Sequence, residues 1–302
     1  MRDKYNRIVS VLKGASIPIL VLALAALALA LVTASVRLRL IIEAQNISAT
    51  FAEAFSLTLL GYFFNNFLPT AIGGDIVKAY YLSKHSSNST GSYTSVFVDR
   101  AIGLITMIFM AFVALFFVKQ AIVDNKVRYA IYIITAASAL GIFFMASKSF
   151  AKRFSVLLTL MKPIEDKLVK VYDAINIYRH HRILMLKTIA ISVASQIFYF
   201  TFFGLLALSI GSRISTIDVL LRMPVVGMMS LLPSINGLGV REGATVVLFG
   251  PIIGNANAFA VSILVIVCML ITSVVGGFIY AFSPQFRIKL QEIKKIDQGS
   301  LL

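Results

Sequence analysis

The chain has 302 residues, 59% of them hydrophobic, with a formal charge of +15 and one cysteine. Apolar runs of eighteen or more residues read as transmembrane helices, which excludes a soluble domain, and a lone cysteine excludes a disulfide framework. The basic residues flank the apolar runs, so the charge points to cytoplasmic loops and anionic lipid headgroups and not to nucleic acid.

Residues 1–16 carry Arg2, Lys4, Arg7 and Lys13 ahead of the first apolar run, 17–36. That run is longer than the roughly 7–15 residues of a signal-peptide core, so it reads as a retained first helix. Arg37 and Arg39 mark its far end, and 40–50 is a short interfacial connection. A second span begins near Phe51 and stops at a break, Asn65-Asn66-Phe67-Leu68-Pro69-Thr70-Ala71-Ile72-Gly73-Gly74-Asp75-Ile76-Val77-Lys78. The aromatic residues 62–64 and 67 read as packing at a membrane interface. A short helix resumes from Gly73 to Leu82, and 83–92 reads as a solvated loop.

A third span covers 93–118, with Asp99-Arg100 in its early turns, and a fourth covers 129–146. The segment 147–182 mixes eight basic residues with apolar ones at near-helical spacing. It fits a basic amphipathic interfacial helix or a cytosolic connector. A fifth span (183–210) has Gln196 as its main polar interruption. A sixth (217–235) carries Arg222 and Pro224 and ends in a second break, Pro233-Ser234-Ile235-Asn236-Gly237-Leu238-Gly239-Val240-Arg241-Glu242-Gly243. The apolar piece at 244–253 is too short to cross alone at ~1.5 Å per residue, so it is either re-entrant or part of a seventh span. The last span is 258–282, before a basic tail.

The expected fold is therefore all-α: a polytopic membrane protein with about eight transmembrane helices and two broken or re-entrant elements. A shift of 164 residues lays Pro69 on Pro233 and Gly73 on Gly237, which points to one membrane domain, 1–302, with halves 1–146 and 183–302 joined by 147–182. The segments 1–16, 147–182 and 283–302 hold four, eight and four of the 28 Lys and Arg. Together these place both termini in the cytoplasm of a multi-pass cell-membrane protein.

Lipid offers no partner for freed backbone groups, so broken helices at membrane depth survive only within protein or beside a water-filled cavity. Paired breaks in corresponding places are the sequence mark of a transporter's substrate site. A charge at membrane depth costs several kcal/mol and so faces a cavity or a partner. Lys78, Arg100 and Arg241 are candidates to hold an anionic headgroup, while Asp75, Asp99 and Glu242 neutralise them in the empty state or carry a proton. The competing reading of Asp99-Arg100 is a simple interfacial anchor. Asn65, Asn66 and Asn236 cap freed backbone groups or touch substrate. Pro69 and Pro233 make the breaks, and Gly73, Gly74, Gly237 and Gly239 permit close approach and positive φ. Metalloprotease, paired-cysteine and phosphate-loop motifs are all missing, so neither a metal, a cofactor nor catalysis is expected. The competing enzyme reading would use Asp75, Asp99 or Glu242.

On three elements the chain resembles a known family: Asn65/Asn66-Phe67-Leu68-Pro69 through Lys78, the acid–arginine pair Asp99-Arg100, and Pro233 through Gly243. These are similar to the flippase-like membrane domain of lysylphosphatidylglycerol synthases, which also occurs as stand-alone UPF0104 proteins. The pair is more often Glu-Arg in that family. The resemblance implies lipid translocation, with membrane lipids as partners and a separately encoded lipid-modifying enzyme as a further candidate partner. It does not carry over the synthase activity or name the lipid. A membrane enzyme of lipid metabolism and a synthase-associated scaffold are the alternatives.

Overall fold

A computed structural model describes residues 11, 14–66, 68, 73–116, 125–146, 177–178, 181–230 and 237–283. Pro69, Pro233, Asn236 and the amphipathic stretch 147–176 lie outside the described residues. Those that are described form nine helices and no strand. The expected all-α polytopic architecture is what the structure shows.

Four helices of 27–28 residues are long and apolar enough to cross a membrane: α1 (Ile17–Glu43), α4 (Ser89–Phe116), α6 (Arg182–Ser209) and α9 (Asn255–Phe282). At ~1.5 Å per residue each spans about 40 Å, more than the ~30 Å hydrocarbon core. Helix α5 (Asn125–Ala146) has 22 residues. The other four have 12 to 15: α2 (Phe51–Asn65), α3 (Gly73–Lys84), α7 (Thr216–Met229) and α8 (Val240–Ile253). At roughly 18–23 Å each, none of these reaches across alone.

The short helices pair into two antiparallel hairpins whose tips are the two sequence breaks. In the first, a Cβ on Gly74 would lie 2.1 Å from the Gly61 carbonyl oxygen, so α2 and α3 touch backbone to backbone. Thr50 and Glu53 start α2 with a capping box: Thr50 Oγ1 accepts from the Glu53 N–H (3.2 Å), and the Thr50 N–H donates to the Glu53 carboxylate (2.7 Å). In the second, the Arg222 guanidinium reaches from α7 to the Leu248 carbonyl of α8 at 2.9 Å. Helices α2 and α3 thus flank the first sequence break, and α7 and α8 flank the second.

Directions follow from specific contacts. Ser16 N donates to Ser209 O (2.8 Å), Ser195 Oγ to Ala30 O (3.0 Å), and Arg37 Nη1 to Ser192 Oγ (2.9 Å), so α1 and α6 run antiparallel. Arg37 also meets Asp99, while Tyr178 OH bridges Ser95 and Ile41, so α1 and α4 are antiparallel too. The hairpin between them leaves from, and returns to, one end of α1. The second hairpin starts at the other end, where α6 finishes beside Ser16. The helix starts of 17, 51, 73 and 89 recur as 182, 216, 240 and 255, offsets of 165 to 167 residues. Because α6 runs antiparallel to α1, this second series begins at the opposite end of the bundle.

Ser16 and Tyr178 lie at opposite ends of α1. At the other end of the chain, Ile279 and Tyr280 pack with Leu38, Ile42 and Tyr81, on the Tyr178 side. The core lies between α1, α6, α8 and α9, where Phe202, Phe203, Leu206 and Phe249 are fully buried. Large apolar side chains such as Leu22, Phe109, Leu186, Val247 and Phe278 face outward, as hydrocarbon solvent allows.

Candidate functional site

Both hairpin tips face one cavity of about 300 Å³. The first contributes Asn65, Asp75 and Lys78; the second contributes Ser230 and Arg241. Helices α1, α4, α6 and α9 close the walls with Arg37, Asp99, Arg100, Gln196, Tyr199 and Met269 among others.

Local chemistry explains how the tips hold their shape. Asn65 Oδ1 accepts from the Gly74 N–H at 2.7 Å, meeting a donor that α3, newly begun, leaves without an intrahelical partner. Asn66 caps the end of α2, its backbone N–H turned back to Phe63 and Phe64. Gly237 and Gly239 sit at φ +75° and +81°, a region that side chains with a Cβ rarely adopt. Glu242 accepts from the Gly239 N–H, so the acid caps the start of α8 and faces its positive dipole end.

The charges form a connected set. Lys78 Nζ lies 2.9 Å from Asp75 Oδ1, and Arg100 Nη1 lies 3.4 Å from Asp75 Oδ2, so two cations share one carboxylate. Arg241 Nη2 is 3.3 Å from Glu242 Oε1, and its Nη1 rests on Met269 Sδ at 2.9 Å. Asp99 does not act as one unit with Arg100: its partner is Arg37, at 2.7 Å. Among the described residues, four cations (Arg37, Lys78, Arg100, Arg241) therefore meet three carboxylates (Asp75, Asp99, Glu242) at the site. Residues 67, 69–72 and 231–236 at the tips are all uncharged types.

Of the sequence-predicted residues, Asn65, Asp75, Lys78, Asp99, Arg100 and Arg241 line the cavity. Gly73, Gly74, Gly237, Gly239 and Glu242 shape or cap the tips around it. Arg37 was read only as the end of a span, yet it is buried between α1, α4 and α6. The signal was available, because Leu38, Leu40, Ile41 and Ile42 continue the apolar run beyond it. Tyr62 was assigned to aromatic packing; Phe63 and Phe64 do pack on Tyr280, but Tyr62 lines the cavity. Among the described residues, no cluster of His, Cys, Asp or Glu could hold a metal ion.

This arrangement sits within a recognisable family. The lysylphosphatidylglycerol synthase TM region matches residues 5–277. The chain belongs to this family. Relatives include a UPF0104 membrane protein of Pyrococcus horikoshii, 26% identical over 306 aligned residues, covering 90% of this chain and 89% of the relative. Another, from Methanocaldococcus jannaschii, is 30% identical over 131 residues, covering 43% of this chain and 38% of the relative. No solved structure matches.

Proposed function

We propose that the chain is a lipid transporter of the flippase type, which carries a polar headgroup through the cavity between the hairpin tips while the tails stay in the bilayer. The observation that supports this most is the convergence of two re-entrant hairpins, entering from opposite ends, on one charged cavity. A headgroup crossing a bilayer needs a polar path, and charges at that depth are costly unless a cavity or partner receives them. Arg241 takes the phosphate: its guanidinium stays protonated and offers a rigid fork suited to two phosphate oxygens. Lys78 and Arg100 supply the second contact from the other half, with Asp75 as their counter-charge in the empty state. The chain moves lipid without making or breaking its bonds.

Reconstitution tests this. Wild-type protein in vesicles should move a fluorescent phospholipid between leaflets, and Arg241→Ala should abolish that movement with the unfolding midpoint near wild type. Arg241→Lys should recover only part of the rate. Transport by Arg241→Ala at the wild-type rate would place the site elsewhere.

A further inference from the structure

We infer that the groove between α8 and α9 seats a hydrocarbon chain of the transported lipid while its phosphate is held at Arg241. This rests on the reading of the cavity as a headgroup site and adds where the chain lies. The groove has a volume of about 610 Å³. Glu242, Gly243, Val246 and Val247 line it from one face of α8 at helical spacing, and Phe259 and Ile266 of α9 stand opposite. It opens outward, since Val247 is 71% exposed.

Groove and cavity meet at the first turn of α8. Arg241 and Glu242 are neighbours in sequence and form an ion pair at 3.3 Å, yet Arg241 lines the cavity and Glu242 lines the groove. Helix α9 divides in the same way, with Met269 on the cavity side against Arg241 and Ile266 on the groove side. Glycines bracket the turn that separates the two spaces. Among the described residues, nothing lies within 4 Å of a Cβ built on Gly239 or Gly243. The missing side chains leave room for a lipid to cross this turn, from a phosphate on Arg241 to an apolar trough open to the bilayer.

Hydrocarbon gains little by leaving lipid for an apolar wall, because lipid tails are as apolar as Leu. The groove therefore acts by shape and place: it receives the chain beside the site so that the phosphate can stay on Arg241. A second copy of this chain is the other occupant that a glycine-bearing helix face could take. Continuity with the headgroup cavity favours lipid.

The experiment places the full chain in phosphatidylcholine nanodiscs with trace phosphatidylglycerol carrying a diazirine in one acyl chain, and maps cross-links by mass spectrometry. Val247, Phe259 and Ile266 should be labelled about tenfold more than Leu186 and Phe278, which face lipid elsewhere. Arg241→Ala should bring them down to that background. Gly243→Leu fills the trough without meeting protein and removes a glycine from a helix, so it should fold. It should lose the groove cross-links and slow reconstituted lipid movement about tenfold, whereas Gly204→Leu on α6 should do neither. The wild-type map stands whether or not that variant folds. Even labelling of groove and outer surface, or a map unchanged by Arg241→Ala, would overturn the inference. So would a chain-to-chain disulfide at Val247→Cys in a Cys268→Ala background, which would assign the groove to a second copy. Lipid movement at the wild-type rate in Gly243→Leu would sink the seat and leave the transporter reading standing. Groove labelling that depends on Arg241, in a protein that moves no lipid, would uphold the seat and sink that reading.

Discussion

Gly74 is the tightest backbone position in the site. A methyl group there meets the Gly61 carbonyl, which belongs to a helix and cannot swing aside. Gly74→Ala should therefore cost about 1–3 kcal/mol through forced separation of α2 and α3. Gly204→Ala makes the comparison, because nothing lies within 4 Å of its Cβ and helix propensity alone should make it neutral or slightly stabilising. Thermal unfolding of the two variants in one detergent checks the contrast; equal midpoints would contradict it. Sequence reasoning gave Gly73 and Gly237 the same role, close approach and positive φ. Gly237 has the positive φ that this reasoning requires. At Gly73 the obstacle is only the Leu68 side chain, so the constraint belongs to its neighbour. Glycine pairs announce close approach in a sequence, but which member meets backbone depends on how the facing helix is phased.

At the scale of elements, the hairpins are held by few polar contacts, and Arg222 carries much of the second. It is buried and spans from Asp218 to the Leu248 carbonyl. Arg222→Leu keeps the bulk but leaves that carbonyl and Asp218 without their donor, so a loss of about 1–3 kcal/mol is expected. Hydrogen exchange should quicken first in 240–253, and an unchanged protection pattern there would show that apolar packing alone holds α8. The elements themselves were largely legible: long apolar runs gave α4, α5, α6 and α9 to within a few residues. The hairpins were less so. A broken span and a re-entrant hairpin share the same apolar pattern, and only the backbone contact of Gly61 with Gly74 and the Arg222–Leu248 bond distinguish them. Arg37 escaped notice for a related reason: a charge was taken as a boundary although the helix runs on to Glu43.

At the scale of the whole molecule, Ser16 marks one end of α1, while Tyr178, Ile279 and Tyr280 mark the other. The sequence segments 147–182 and 283–302 hold twelve Lys and Arg against four in 1–16, so the positive-inside rule predicts a cytoplasmic Tyr178 side. A reporter fused to the C-terminus should accordingly read as cytoplasmic and one at the N-terminus as external. Two cytoplasmic termini would require a further crossing.

The account depends above all on two hairpins entering from opposite ends to meet at one charged cavity. Single cysteines at Ser48, Ser87, Arg213 and Asn255, in a Cys268→Ala background, test it with a membrane-impermeant thiol reagent applied to intact cells and to inverted vesicles. Ser48 and Ser87 flank the first hairpin; Arg213 and Asn255 flank the second. Positions 48 and 87 should label from the same face, and 213 and 255 should both label from the opposite one. Labelling of 48 and 87 from different faces would turn the first hairpin into a crossing span and contradict the account.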